Sequence, residues 1–140
     1  IMSFKNNFFL LGGIFIIFQL YISYFFTGYN KLKSPIWRKG SALIYVMNSE
    51  LFGNRVIQSF LIKKGQTFNI IICWVVILFQ LLFPVMASIP QTIIFVFIIG
   101  FLFHFSLAVI SNLNDFFWTF LSAYPVVYYF VNYFWDKILL

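Results

Sequence analysis

The segment YFFTGYNKLKSPIWRKGSAL, residues 24–43, changes character partway along. It starts as sequence apolar enough for lipid. Within a dozen residues it gains four cations (Lys31, Lys33, Arg38 and Lys39), together with Pro35, Trp37 and Gly40. Such a transition reads as the end of a membrane helix entering the headgroup layer, where Trp and Lys anchor spanning segments. Lys31 stands at the mouth of that helix. One reading is an interfacial anchor whose long stem lets its ammonium snorkel to water. The other is a reactive group built into the membrane edge.

Working outward, the whole chain carries the same signature. Of 140 residues, 63% are apolar, 24% aromatic and only 9% charged, against about 25% charged in a typical soluble domain. A soluble domain of this size leaves too much surface exposed to hide so much apolar side chain. Lipid is therefore the expected solvent. The net charge of +6 does not point to nucleic acid, because the cations lie between apolar segments rather than on a polar face. One cysteine, Cys73, cannot form an internal disulfide. One His, one Cys and three scattered carboxylates offer no metal-ligand spacing, so no metal site is expected. The apolar stretch near the start is too long for a signal peptide and lacks a small-residue cleavage site. Ile1 precedes Met2, which suggests a piece of a longer protein.

Four stretches are long enough to cross a bilayer as helices: 8–29, 67–87, 91–110 and 116–135. Helix is the expected state, since open strands leave backbone groups unpaired in hydrocarbon. Ser88-Ile89-Pro90 is a tight turn, and Asn114 or Asp115 is a candidate cap for the last helix. The connection 30–66 holds seven of the nine cations. Within it, 41–48 and 55–62 read as short helices lying in the interface, with Trp37 and Tyr45 at headgroup depth. The expected architecture is thus all-α: one membrane domain over 1–140, about four spanning helices, and a basic interfacial loop between the first two. The bias of Lys and Arg places that loop in the cytoplasm.

Polar residues inside spanning helices need partners. Gly12, Gln19, Ser23 and Asn30 fall on one face of the first span, with Thr27 beside them. Asn69, Cys73 and Gln80 share a face of the second; Gly100, His104 and Ala108 step by four along the third. These stripes are expected to pack helix against helix. His104 is either a neutral imidazole bonded to a neighbouring helix or a functional group. Pro125 should kink the fourth span, with Ser122 covering a carbonyl that it frees. Tyr124, Tyr128, Tyr129, Tyr133 and Trp135 read as an aromatic interface belt.

Several of these pieces occur together in one known family. Gly28, Lys31-Leu32, Trp37 and Gly40, followed by LFQLLFPVM, FLFHFSLAV and FWTFLSAYPVV, resemble the horizontally transferred transmembrane (HTTM) domain family. That family is related to the vitamin K-dependent gamma-carboxylases. The resemblance covers roughly residues 18–130, the C-terminal half of such a domain, and in style the chain is similar to the short sporulation-delaying protein B-like proteins. Gln80 stands where relatives have an acid, and Asn30 where the carboxylase has a Lys.

The resemblance implies a bacterial plasma-membrane protein that helps mature or modify a secreted peptide. It implies catalytic roles for Lys31 and His104, with Trp37, Gln80 and Tyr29 around the substrate. Gly28, Gly40 and Pro125 are then structural, and the implied cofactor is a quinone. A Lys can act as base only after losing its proton, which exclusion from water favours. The resemblance also implies a site on the outer face of the membrane, against the charge bias. The competing expectation is a non-catalytic immunity or scaffold subunit that binds a peptide or partner helices. The lipid bilayer is a partner on either reading.

Overall fold

The computed structural model describes residues 2–139, with side chains from residue 8 to residue 138. No strand occurs among the described residues. Seven helices run in order: α1 Met2–Lys33, α2 Pro35–Arg38, α3 Ala42–Met47, α4 Arg55–Lys64, α5 Gln66–Met86, α6 Pro90–Ser111 and α7 Asn114–Leu139. Three segments are long and apolar enough to cross a membrane: Phe8–Lys33, Gln66–Met86 and Pro90–Ser111. These match the first three expected spans. Helix α7, at 26 residues, is long enough. Its Tyr, Trp, Ser, Thr and Asn residues make it less apolar than the other three.

The first span runs further than the sequence suggested. Asn30-Lys31-Leu32-Lys33 continues α1 instead of opening the loop. The break comes at Ser34, whose extended backbone precedes Pro35 at the start of α2, since a residue before Pro is driven out of the helical region. Lys31 therefore sits in the last turn of α1, where a cation suits the helix dipole. Further on, Asn54 caps α4 by accepting from the backbone N–H groups of Val56 and Ile57 at 3.1 and 3.2 Å. Asn112, in the left-handed region at φ 56°, closes α6. Asn114 begins α7, with Asp115 in its first turn.

Helices α5, α6 and α7 follow one another through short turns, and α1 packs between α5 and α7. The core between them is Leu20 and Tyr24 of α1, Phe83 of α5, Val96 of α6, and Tyr124 and Val127 of α7. Tyr24 stacks flat on Phe83, ring centroids 3.6 Å apart. At one end, Ser88 in the α5–α6 turn bonds the Tyr21 hydroxyl, and the Trp135 indole donates to the Ser88 carbonyl at 2.8 Å. Trp135 thereby ties α7 to the turn.

At the other end, α2 and α3 pack on α5. Gly40 makes the tight approach possible. It lies at φ 79°, and a Cβ there would fall 2.6 Å from the backbone nitrogen of Ile70. Asn69, buried in α5, donates to the carbonyls of Leu61 and Gly65 at 2.9 and 3.0 Å and so pins the end of α4. Ala42 and Met47 of α3 are buried. The basic connection thus contributes a small cap to the bundle.

Candidate functional site

The cap, α1, α5, α6 and the start of α7 enclose a cavity of about 280 Å³. This lies just below the roughly 300–1,000 Å³ typical of small-molecule sites. Lys31 of α1, Trp37 of α2, Gln80 of α5 and His104 of α6 all line it. Four residues spread over 74 positions of sequence meet at one hollow. Apolar side chains make up most of the remaining wall, among them Leu43, Met47, Phe103 and Phe120.

Local folding explains the convergence. Lys31 is one helical turn beyond Gly28, whose missing side chain lets α1 approach α5. A Cβ on Gly28 would lie 3.0 Å from the Gln80 Cβ and from the Leu81 backbone nitrogen. Gly40 folds the cap back, and Trp37 comes to lie beside Lys31. The Lys31 Nζ sits 4.9 Å from the Trp37 ring centre, within cation–π range. The amine is thus held against an aromatic wall.

His104 is 95% buried, leaving 5% of its surface exposed. Its ring stacks on Phe120 at 4.2 Å. Its Nε2 lies 2.9 Å from the Tyr24 hydroxyl, which lies 3.0 Å from the Tyr124 hydroxyl. This chain of bonds joins α6, α1 and α7. Gly100, one turn before His104, makes room for it: a Cβ there would meet the Tyr124 hydroxyl at 2.2 Å. The direction of the chain follows from counting protons. If Tyr124 donates to Tyr24 and Tyr24 to Nε2, both hydroxyl protons are used and His104 carries its proton on Nδ1. The reverse direction leaves the Tyr124 proton without an acceptor and the Nδ1 lone pair without a donor.

Two buried atoms of the cavity wall residues find no hydrogen-bond partner among the described residues: Gln80 Oε1 and His104 Nδ1. An unpaired buried polar atom costs about 1–3 kcal/mol. Neither atom touches the cavity's open space, so this cost is borne within the wall. No group of three or more His, Cys, Asp or Glu that could hold a metal ion occurs among the described residues.

The remaining sequence-predicted residues lie elsewhere. Tyr29 does not line the cavity; its ring stacks on Phe25 and lies under Lys33. Pro125 lies in the exposed α1–α7 seam beside Gly12 and Gly13. Ser122 donates to the Thr119 carbonyl at 2.8 Å, one that Pro125 does not free, because the bond lost to proline is the one to Leu121. Tyr124 is buried inside the bundle rather than in an aromatic belt. The polar stripe of α5 is buried at Asn69, Cys73 and Gln80, and that of α6 at Gly100 and His104. The stripe of α1 faces outward instead: Gly12, Gln19, Thr27 and Asn30 are exposed.

Sequence reasoning missed Tyr24 and Phe120. Tyr24 had a signal, lying one turn before Gly28 and two before Lys31 on the same face of α1, since a buried Tyr hydroxyl needs a partner. Phe120 had none. No family model, curated protein or solved structure matches this chain.

Proposed function

We propose that this chain is a multi-pass membrane protein that holds a flat, lipid-borne quinone in the cavity bounded by Lys31, Trp37, Gln80 and His104. The observation that supports this reading is the meeting of those four side chains at one apolar hollow near a helix end. Trp37 and Phe120 offer aromatic faces to a planar ring. The Gln80 amide and the His104 imidazole place polar side chains in the wall beside such a ring's oxygens. Lys31, as the neutral amine, takes the proton of a hydroquinone hydroxyl and leaves the hydroquinone anion, so the step moves one proton and no electrons. The Tyr24–His104 bond holds the imidazole in orientation while this happens.

The wider role follows from the resemblance to the HTTM and gamma-carboxylase-like family: maturation or modification of a secreted peptide at a bacterial plasma membrane. On this reading α7 makes a fourth crossing, and the basic connection sits at the headgroup layer.

Photolabelling tests the binding. An azido-naphthoquinone is irradiated with the protein in its membranes, and labelled peptides are identified by mass spectrometry. Label is expected on the peptides holding Trp37 and Phe103–His104, suppressed by excess unlabelled naphthoquinone and lost in Lys31→Ala and His104→Leu. Labelling confined to outward-facing positions such as Phe95 and Val109 would overturn the proposal.

A further inference from the structure

The basic connection ends in a helix that lies flat across the bundle. Helix α4 is held at both ends. Its cap Asn54 reaches to 3.5 Å from the Ile110 carbonyl, in the last turn of α6. Its Leu61 carbonyl accepts from Asn69, in the first turn of α5, at 2.9 Å. A short turn joins α5 to α6, so the start of one and the end of the other lie at the same end of the bundle. A ten-residue helix fixed to both must cross that end rather than run along the spans.

The two sides of α4 differ. Leu61 is buried and Ile57 half-buried against the bundle, while Arg55, Val56, Phe60, Lys63 and Lys64 are exposed. Val56 and Phe60, four residues apart, share one flank. The Phe60 ring meets the Phe68 ring of α5 edge-on, centroids 6.0 Å apart. Phe68 stands at helical spacing from Ile71 and Val75 of α5, both exposed. The apolar flank of α4 thus continues the surface that α5 turns to lipid. Lys64 marks its rim, with its amine 5.4 Å from the Phe60 ring centre and 5.9 Å from that of Phe68.

The chain offers this end little compensating charge. Between Asn30 and Gln66 stand seven cations and one acid, Glu50, so the connection carries the whole net charge of +6. Arg55 donates to the side-chain oxygens of Asn48 and Gln58, which are neutral. Lys64 lies over rings, which leave its charge in place.

We infer that the outer face of α4 docks on anionic phospholipid, with Arg55, Lys63 and Lys64 level with the phosphates and Val56 and Phe60 among the upper acyl carbons. Cation clusters beside spanning helices attract such lipid, and a helix with charged and apolar sides lies in the interface plane. A second copy brings the same excess of cations at this end, so like charge would hold two copies apart. An acidic soluble protein would match the cations but cannot cover Val56 and Phe60 where they continue the lipid-facing surface of α5. A zwitterionic lipid supplies acyl chains without net charge. An anionic phospholipid supplies both at the depth that the fold sets. No residue of α4 lines the cavity, so the inference does not depend on the quinone reading.

The test places the full chain in phosphatidylcholine bilayers with a trace of spin-labelled lipid. Electron spin resonance reads the share of label slowed by the protein. Spin-labelled phosphatidylglycerol is expected to associate at least about fivefold more strongly than spin-labelled phosphatidylcholine, given three cations on one face. Lys63→Gln with Lys64→Gln should lower that ratio, and adding Arg55→Gln should bring it below about twofold. Lys137→Gln, at the far end of α7, should lower it much less. All four positions are exposed, so circular dichroism should be unchanged. Val56→Ser with Phe60→Ser, cations intact, should weaken the hold on phosphatidylglycerol as well. Equal association of the two lipids with the unaltered chain, or a preference that survives the triple substitution, overturns the inference. Displacement of phosphatidylglycerol by hexaglutamate at the concentration of the labelled lipid would assign the face to an acidic peptide and overturn it too.

Discussion

Helix α1 has two seams made of opposite materials. Against α5 it presents Leu20, Tyr24 and Gly28, all buried, with a flat Tyr24–Phe83 stack and a glycine that admits the partner's backbone. Toward α7 it is buried at Gly13, which meets the Phe130 ring, and at Tyr24, which bonds Tyr124; beside these, Gly12, Gln19, Ser23 and Thr27 are mostly exposed along open hollows. The polar stripe that stands out in the sequence is on the second seam. The candidate cavity borders both, with Tyr24 in its wall from the first and Ser23 and Thr27 from the second. Polarity on a membrane helix thus marks a surface that needs a partner; it does not say whether that partner lies within the chain.

Substitutions on the two faces should separate them sharply. The largest expected effect is Gly28→Leu. With a Cβ already 3.0 Å from the α5 backbone, a leucine must wedge the helices apart and cost roughly 3 kcal/mol. The partner experiment is Gly12→Leu on the other seam, where nothing lies within 4 Å of an added Cβ. A change below about 0.5 kcal/mol is expected there. Denaturant titration in mixed micelles measures both, and similar losses at the two glycines would erase the distinction.

Next comes Gly40→Ala, which puts a side chain in the left-handed region and into the Ile70 backbone. A loss of about 2 kcal/mol is expected from the conformational term alone, with a shift in Trp37 emission as α2 lifts from α5. Tyr24→Phe keeps the stack on Phe83 but strands the His104 imidazole and the Tyr124 hydroxyl, at about 1–2 kcal/mol. Its neighbour Ser23→Ala removes only a bond to its own helix and should change stability by less than about 0.5 kcal/mol. If Ser23→Ala proved the costlier of the two, the assignment of inner and outer faces would be wrong.

Much of the fold was legible. Length and apolarity located α1, α5 and α6, and Pro35 and Pro90 mark where helices begin. Periodicity grouped Asn69, Cys73 and Gln80 on one face, as well as Gly100 and His104. What periodicity lacks is direction. A hundred-degree repeat shows that residues share a face but not which neighbour that face meets, so the α1 stripe was assigned inward. The candidate site was half legible. Lys31, Trp37, Gln80 and His104 were grouped at one site by the family resemblance, and all four line one cavity. Tyr29, which the resemblance also implied, lies two residues from Lys31, and two residues along a helix turn a side chain by about 200°. Phe120 contributes through packing, which no single sequence discloses.

The central claim is that Lys31, Trp37, Gln80 and His104 enclose one binding cavity. Trp37 fluorescence tests it most directly. The protein is titrated with a membrane quinone in nanodiscs, and the difference between wild type and Trp37→Phe isolates that indole from Trp74, Trp118 and Trp135. The account predicts quenching of Trp37 that saturates, and that weakens at least tenfold in Lys31→Ala while its circular dichroism is unchanged. Quenching that rises linearly with quinone in every variant would mean only collision with quinone dissolved in lipid, and would contradict the account.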